Sequence, residues 1–184
     1  MPFQFDPIST IPDLIVITPQ VFTDSRGVFS ETYQKSSFEK AGIFGSFVQD
    51  NYSISQKGVL RGIHYQKAPF SQHKLVRVSQ GSVWDVAVDL RPSSKTYLQW
   101  FGLELSAENQ KILSIPAGFG HGFLALEEHT HLSYKCSAEY SRTHEEGIRW
   151  NDTTLKIEWP RLSIPYIISE KDLQLASLTE LGHQ

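Results

Sequence analysis

The chain has 184 residues, 40% of them hydrophobic and 20% charged, enough for one domain with a sizeable core and short for two. Its 17 Lys and Arg against 20 Asp and Glu give a net charge of −3, so electrostatic binding of nucleic acid is not the default and an anionic ligand requires a local basic cluster. No apolar run approaches the roughly 20 residues that span a bilayer, and the single cysteine, Cys136, excludes an intrachain disulfide and fits a reducing cytoplasm.

The first stretch, "MPFQFDPISTIPDL", has neither a basic leader nor a small-residue cleavage site, so no secretory signal is expected and residues 1–184 read as one cytoplasmic domain. Strand-like runs with β-branched and aromatic residues then follow in series: "LIVITPQVF", "VFSETY", "FVQDNYSIS", "VLRGIHYQ", "KLVRVSQ", "SVWDVAVDL", "LQWFGLEL", "KILSIPAG", "HGFLALE" and "HLSYKCSAEY". So many strands in one domain predict an all-β sandwich or barrel. Two short helices are expected. "SSFEKAG" closes on Gly42, and "SEKDLQLASLTEL" begins with Ser169 as N-cap and Asp172 three residues on, the capping-box spacing.

Alternation in "SVWDVAVDL" puts Trp84, Val86 and Val88 on one strand face and Asp85, Ala87 and Asp89 on the other, so two aspartates face solvent or a polar cavity. His64 sits in the middle of a strand, where it points to an interior. In "IPAGFGHGF" three glycines around His121 imply that backbone or ligand approaches closely. A catalytic metal needs three or four converging ligands, and the position two along from His64 on its strand face is Gln66, a poor ligand; no metal site is expected. Cys136 has no basic neighbour on its own strand face and is read as packing, and no serine lies in a nucleophile elbow. What remains is acid–base chemistry. His64, Lys74, Tyr134 and Asp172 lie on separate elements and together suit proton abstraction beside a carbonyl: a base, a cation for the enolate oxygen and an acid to return the proton. Any one of them also fits a structural role, and periodicity alone does not bring them together.

Serial motifs extend this reading. "TDSRGVFSETY", "VQDN", "VLRGIHYQ", "KLVRVSQGSVWDVAVDLRPSS", "LSAENQKILSIPAGFGHGF", "YKCSAEY", "GIRWND", "IEWP" and "SEKD" occur in order from about Ile15 to Asp172, and this series resembles the dTDP-4-dehydrorhamnose 3,5-epimerases. The resemblance implies a cupin-type jelly roll with a few short helices, a homodimer, and neither metal nor organic cofactor. It implies epimerisation at C3 and C5 of dTDP-4-dehydro-6-deoxy-D-glucose through enolates, in dTDP-L-rhamnose synthesis. His64 would be the base, Asp172 its partner, Lys74 the enolate stabiliser and Tyr134 the acid on the opposite face. Arg26, Glu31, Gln49, Asn51, Arg61, His121, Glu145 and Lys171 match the family's substrate-binding positions. Arg26 and Glu31 lie far in sequence from His64, and with the resemblance this predicts that the N-terminal segment completes a partner's site.

Strict alternation places Arg61 and His64 on opposite faces, and a bulge at Gly62 is the expected remedy. Asp85 is the alternative partner for His64. The same base and enolate also serve a 3-epimerase, a 5-epimerase or a ketoisomerase; a non-catalytic sugar-binding jelly roll or a metal cupin is the other alternative. "APFSQHKL" and the tail "LASLTELGHQ" are less family-like, which leaves loop and terminal contacts open.

Overall fold

Period-two alternation along most of the chain produces, in the computed structural model of the protein, two antiparallel sheets packed face to face. Residues 2–182 are described, so Met1, His183 and Gln184 of the domain expected over 1–184 lie outside the described residues. The elements run β1 Phe3–Pro7, β2 Ile15–Pro19, β3 Val21–Asp24, β4 Gly27–Ser30, α1 Lys35–Lys40, β5 Gln49–Ser55, β6 Val59–Gln66, β7 Lys74–Gln80, β8 Ser82–Asp89, β9 Trp100–Ser106, β10 Ile112–Ile115, β11 Phe119–Ala125, β12 Thr130–Cys136, β13 Glu145–Gly147, β14 Ile167–Ile168 and α2 Glu170–Leu173. One sheet has the order β1-β2-β10-β7-β12-β5 and the other β13-β6-β11-β8-β9, with β14 parallel to β6. This is the all-β jelly-roll sandwich expected. Among the described residues no helix is long and apolar enough to cross a membrane.

The core between the sheets takes alternate residues from both: Val76 and Val78 of β7, Leu132 of β12 and Leu113 and Ile115 of β10 meet Val83 and Ala87 of β8 and Phe123 of β11. Trp84, Val86 and Val88 take the other face of β8, where Ile63, Ile148, Leu155 and Leu178 cover them. The outer face of the first sheet is closed by α1, whose Phe38 meets Phe3 edge-on at 5.1 Å beside Ile17, Leu75 and Ile112. Burial of a side chain of this size is worth about 1.5–3 kcal/mol. Gly42, just past α1, takes φ +85°, the left-handed conformation of a helix terminator.

Three local expectations change. "LIVITPQVF" is two strands, because Pro19 has no N–H to carry the ladder on; Val21–Asp24 leaves to pair with Gly27–Ser30 as a separate hairpin. The helix expected over "SEKDLQLASLTEL" stops at Leu173, since Ala176 forms a bridge to Ile148 and Leu178 is drawn into the outer core, outweighing helix propensity. Phe3–Pro7 is also a strand, paired antiparallel with Ile15–Pro19, although its two flanking prolines mask the alternation of Phe3 and Phe5.

Candidate active site

At one end of the sandwich the inward positions change from aliphatic to polar. A cavity of ≈ 350 Å³ opens there, lined by Arg61 and His64 of β6, Lys74 of β7, His121 of β11, Tyr134 of β12, and Lys171 and Asp172 of α2. These side chains converge because their strands are neighbours: His121 pairs with His64 across β11 and β6, and Cys136, two residues from Tyr134, pairs with Lys74 across β12 and β7.

The bulge at Gly62 is present. Arg61 lies opposite Phe123 and His64 opposite His121, so β6 has one residue more than β11 between those pairs, and both Arg61 and His64 reach the cavity. Gly62 has φ +114°, and a Cβ there would lie 2.5 Å from Gly122 Cα, so no larger residue fits. Gly120 and Gly122 in turn leave room for Ile63, the close approach anticipated around His121.

His64 is bonded through Nε2 to Asp172 Oδ1 at 2.9 Å, and the other carboxylate oxygen accepts from the Gly62 N–H at 3.4 Å. Parallel pairing of Ile167–Ile168 with Val59–Leu60 carries the chain to this point, and Ser169 accepts from the Asp172 N–H as the expected cap. Burial would raise the Asp172 carboxyl, yet the bond from His64 and the Gly62 amide hold it below the ordinary aspartate value. Asp172 is therefore an anion that accepts a hydrogen bond from Nε2–H, which places the ring proton on Nε2 and leaves Nδ1 as the basic nitrogen. Nδ1 is buried without a hydrogen-bond partner, and Glu145 Oε1 lies 4.0 Å from it.

Asp85, the alternative partner for His64, is instead bonded to His121: Nε2 to Oδ2 is 2.9 Å, with both side chains buried. Lys74 is buried and its ammonium lies 5.8 Å from the Tyr134 ring centroid. Burial lowers the Lys74 pKa, with Cys136, Asp85 and Glu145 opposing, and burial raises that of Tyr134, which keeps the phenol protonated near neutrality.

Of the remaining residues, Asn51 lines the cavity and accepts from the Gln49 side chain at 3.1 Å. Lys171 Nζ donates to both oxygens of Glu145 at 2.7 Å. Arg26 and Glu31 are not brought there: Arg26 sits on the β3–β4 turn, 87% exposed and paired with Asp24, and Glu31 follows β4. Two neighbours escaped sequence reasoning. The Tyr140 hydroxyl donates to Glu145 at 2.8 Å, and Cys136 accepts from Asn51 Nδ2 at 3.6 Å; both lie in "YKCSAEY", but nothing in the spacing indicated those contacts. Among the described residues no three His, Cys, Asp or Glu side chains are grouped to hold a metal ion.

Comparison with known proteins adds an independent finding. A family model described as dTDP-4-dehydrorhamnose 3,5-epimerase matches residues 9–180. The dTDP-4-dehydrorhamnose 3,5-epimerase of Pseudomonas aeruginosa is 52% identical over 165 residues, covering 89% of this chain and 90% of that protein. The Shigella flexneri enzyme of the same name is 49% identical over 164 residues, again covering 89% and 90%. Among solved structures, dTDP-6-deoxy-D-glucose-3,5-epimerase from Legionella pneumophila in complex with dTDP-4-keto-L-rhamnose superposes with a TM-score of 0.92 at 43% identity, over 96% of this chain and 93% of that one.

Proposed function

The chain belongs to the dTDP-4-dehydrorhamnose 3,5-epimerase family, and from that premise we propose how its side chains divide the work. It is an isomerase, converting dTDP-4-dehydro-6-deoxy-D-glucose to dTDP-4-dehydro-L-rhamnose on the route to dTDP-L-rhamnose. The C4 ketone acidifies the hydrogens on C3 and C5, so each centre inverts by losing a proton from one face and gaining one on the other.

We assign the base to His64. Asp172 accepts a hydrogen bond from Nε2–H, and the carbon-bound proton passes to Nδ1 while the C–H bonding pair forms the enolate C=C bond and the carbonyl π pair moves to the C4 oxygen. Lys74 receives that oxygen as the buried cation, and loss of one such donor costs about 3–4 kcal/mol in comparable sites. At C5 Tyr134 returns a proton from the opposite face, after which His64 releases one to solvent and the Tyr134 phenolate regains one. Lys74 supplies the electrophile, so no metal is invoked; turnover abolished by EDTA and restored by zinc would overturn this. Arg61 and Lys171 hold the diphosphate, for which the planar Arg fork is suited; Gln49, Asn51, His121 and Glu145 complete the substrate contacts.

The observation carrying this reading is the His64–Asp172 bond at 2.9 Å in a cavity that also holds Lys74 and Tyr134. Incubation with the 4-keto substrate in deuterated water, followed by NMR, should place label at C3 and C5. Label at one carbon would restrict the activity to that centre, and label at neither would remove the base assignment.

The active form is a homodimer in which Arg26 and Glu31 serve a second copy. Supporting this, they lie outside their own chain's cavity on or beside a hairpin that exposes Phe22, Val28 and Phe29 by 51%, 65% and 67%. A fully active monomer in sedimentation would contradict it. The buried thiol of Cys136, which is in no disulfide, agrees with a cytoplasmic setting.

A further inference from the structure

His64 is flanked by two carboxylates, one for each ring nitrogen. We propose that Glu145 is a positioning residue for the base: its carboxylate, 4.0 Å from Nδ1, stabilises the ring once that nitrogen has taken up a proton, and Lys171 sets how strongly. The inference rests on His64 being the base.

Nδ1 is buried with no hydrogen-bond partner. As an acceptor it therefore gains nothing from its surroundings, whereas with a proton it faces a nearby anion, an arrangement that favours the state after abstraction over the state before it. Glu145 is held in place from two sides. Strand pairing sets Glu145 opposite Gln66 and Gly147 opposite His64, while Lys171 and Tyr140 bind its oxygens. Burial would raise its carboxyl, but the Lys171 and Tyr140 bonds bring it below the ordinary glutamate value, so it is an anion at neutral pH. Lys171 is adjacent to Asp172 on α2. One short helix thus supplies both the partner of Nε2 and the cation that moderates the carboxylate beside Nδ1.

The other charged or titratable groups around His64 are Arg61 on its own strand, Lys74 on β7, Tyr134 on β12, and His121 on β11 with its Asp85 from β8. None of these is altered in variants of Glu145, so Glu145→Gln isolates its carboxylate, whereas Lys171 also acts on Asp172 and reports on both carboxylates.

Removing the Glu145 charge disfavours the protonated ring, and removing the Lys171 charge favours it. The test follows the His64 ring resonance of the free enzyme against pH by NMR, with the signal assigned by its absence in His64→Gln. In Glu145→Gln the half-point of the His64 transition should move down by about 0.5–1 pH unit, roughly a three- to tenfold loss of proton affinity. In Lys171→Met it should move up by a similar amount, and Glu145→Asp should restore part of the wild-type position. The acid limb of the kcat profile should follow the same shifts. An unmoved half-point in a folded Glu145→Gln variant would overturn the proposal, as would movement in the same direction in Glu145→Gln and Lys171→Met, and should Glu145→Gln fail to fold, Glu145→Asp, which draws the charge back from Nδ1, decides by a smaller downward shift. Exchange persisting in His64→Gln would instead remove the base assignment itself.

Discussion

His64 and His121 lie opposite each other across β6 and β11, and each is bonded through Nε2 to its own carboxylate at 2.9 Å, Asp172 for the first and Asp85 for the second. Both histidines line one cavity, Asp172 lines it with them while Asp85 lies buried behind His121, and the roles of the two aspartates separate experimentally.

Asp172→Asn should reduce deuterium exchange at C3 and C5 by on the order of 10²–10⁴-fold, because the amide no longer selects the tautomer that leaves Nδ1 basic. Stability should change little, since the α2 cap is the Ser169 hydroxyl and stays in place. Asp85→Asn acts on His121 and should slow exchange less. Kinetics of the two variants side by side check this, and the reverse order of effects would make Asp85 the aspartate that serves the base.

Tyr134→Phe keeps the ring, which packs against the central core, and removes the proton. His64 should still form enolates, so label should enter the substrate while inversion falls much further than exchange; we expect C5 to be the dependent centre. A Phe variant yielding the doubly inverted product at a near-normal rate would show that the hydroxyl is not the acid.

Gly62→Ala should destabilise the fold by about 2–4 kcal/mol, combining a left-handed φ with a clash against backbone. The new Cβ would lie 2.5 Å from Gly122 Cα and 2.7 Å from the His121 carbonyl oxygen, neither of which can rotate away. Urea unfolding measures the loss. Because relief requires β6 and β11 to separate, activity should fall along with stability.

Asp89 is fully buried and accepts from Arg91, Ser94 and Thr96. Burial would raise its carboxyl, but these donors lower it to about 2. A depressed carboxyl contributes stability above the unfolded aspartate value of about 3.9 and loses it as pH falls towards the folded value, so about 2 kcal/mol should disappear between roughly pH 4 and 2. Thermal unfolding across that window should show the decline in the wild type and a shallower one in Asp89→Asn. Equal slopes would mean that the cluster does not govern acid stability.

The sequence by itself determined the sheet class, because alternation such as Trp84, Val86 and Val88 against Asp85 and Ala87 is local and survives in any packing. It also marked the bulge, since Arg61 and His64 cannot share a strand face without an extra residue and Gly62 is the one that tolerates it. Its serial motifs indicated the epimerase family. The resemblance named Asp172 as the partner of His64 with Asp85 as the alternative, and tertiary structure decided between them: Asp172 is brought to His64 by the parallel pairing of Ile167–Ile168 with β6, a contact across more than a hundred residues that no spacing encodes. The same holds for Glu145 beside Nδ1, set by β13 joining the sheet edge, and for Arg26 and Glu31, which the fold leaves outside their own cavity. Helix propensity was a local signal too, and it failed after Leu173 because burying Leu178 against the second sheet outweighs the few intrahelical bonds a short helix would add.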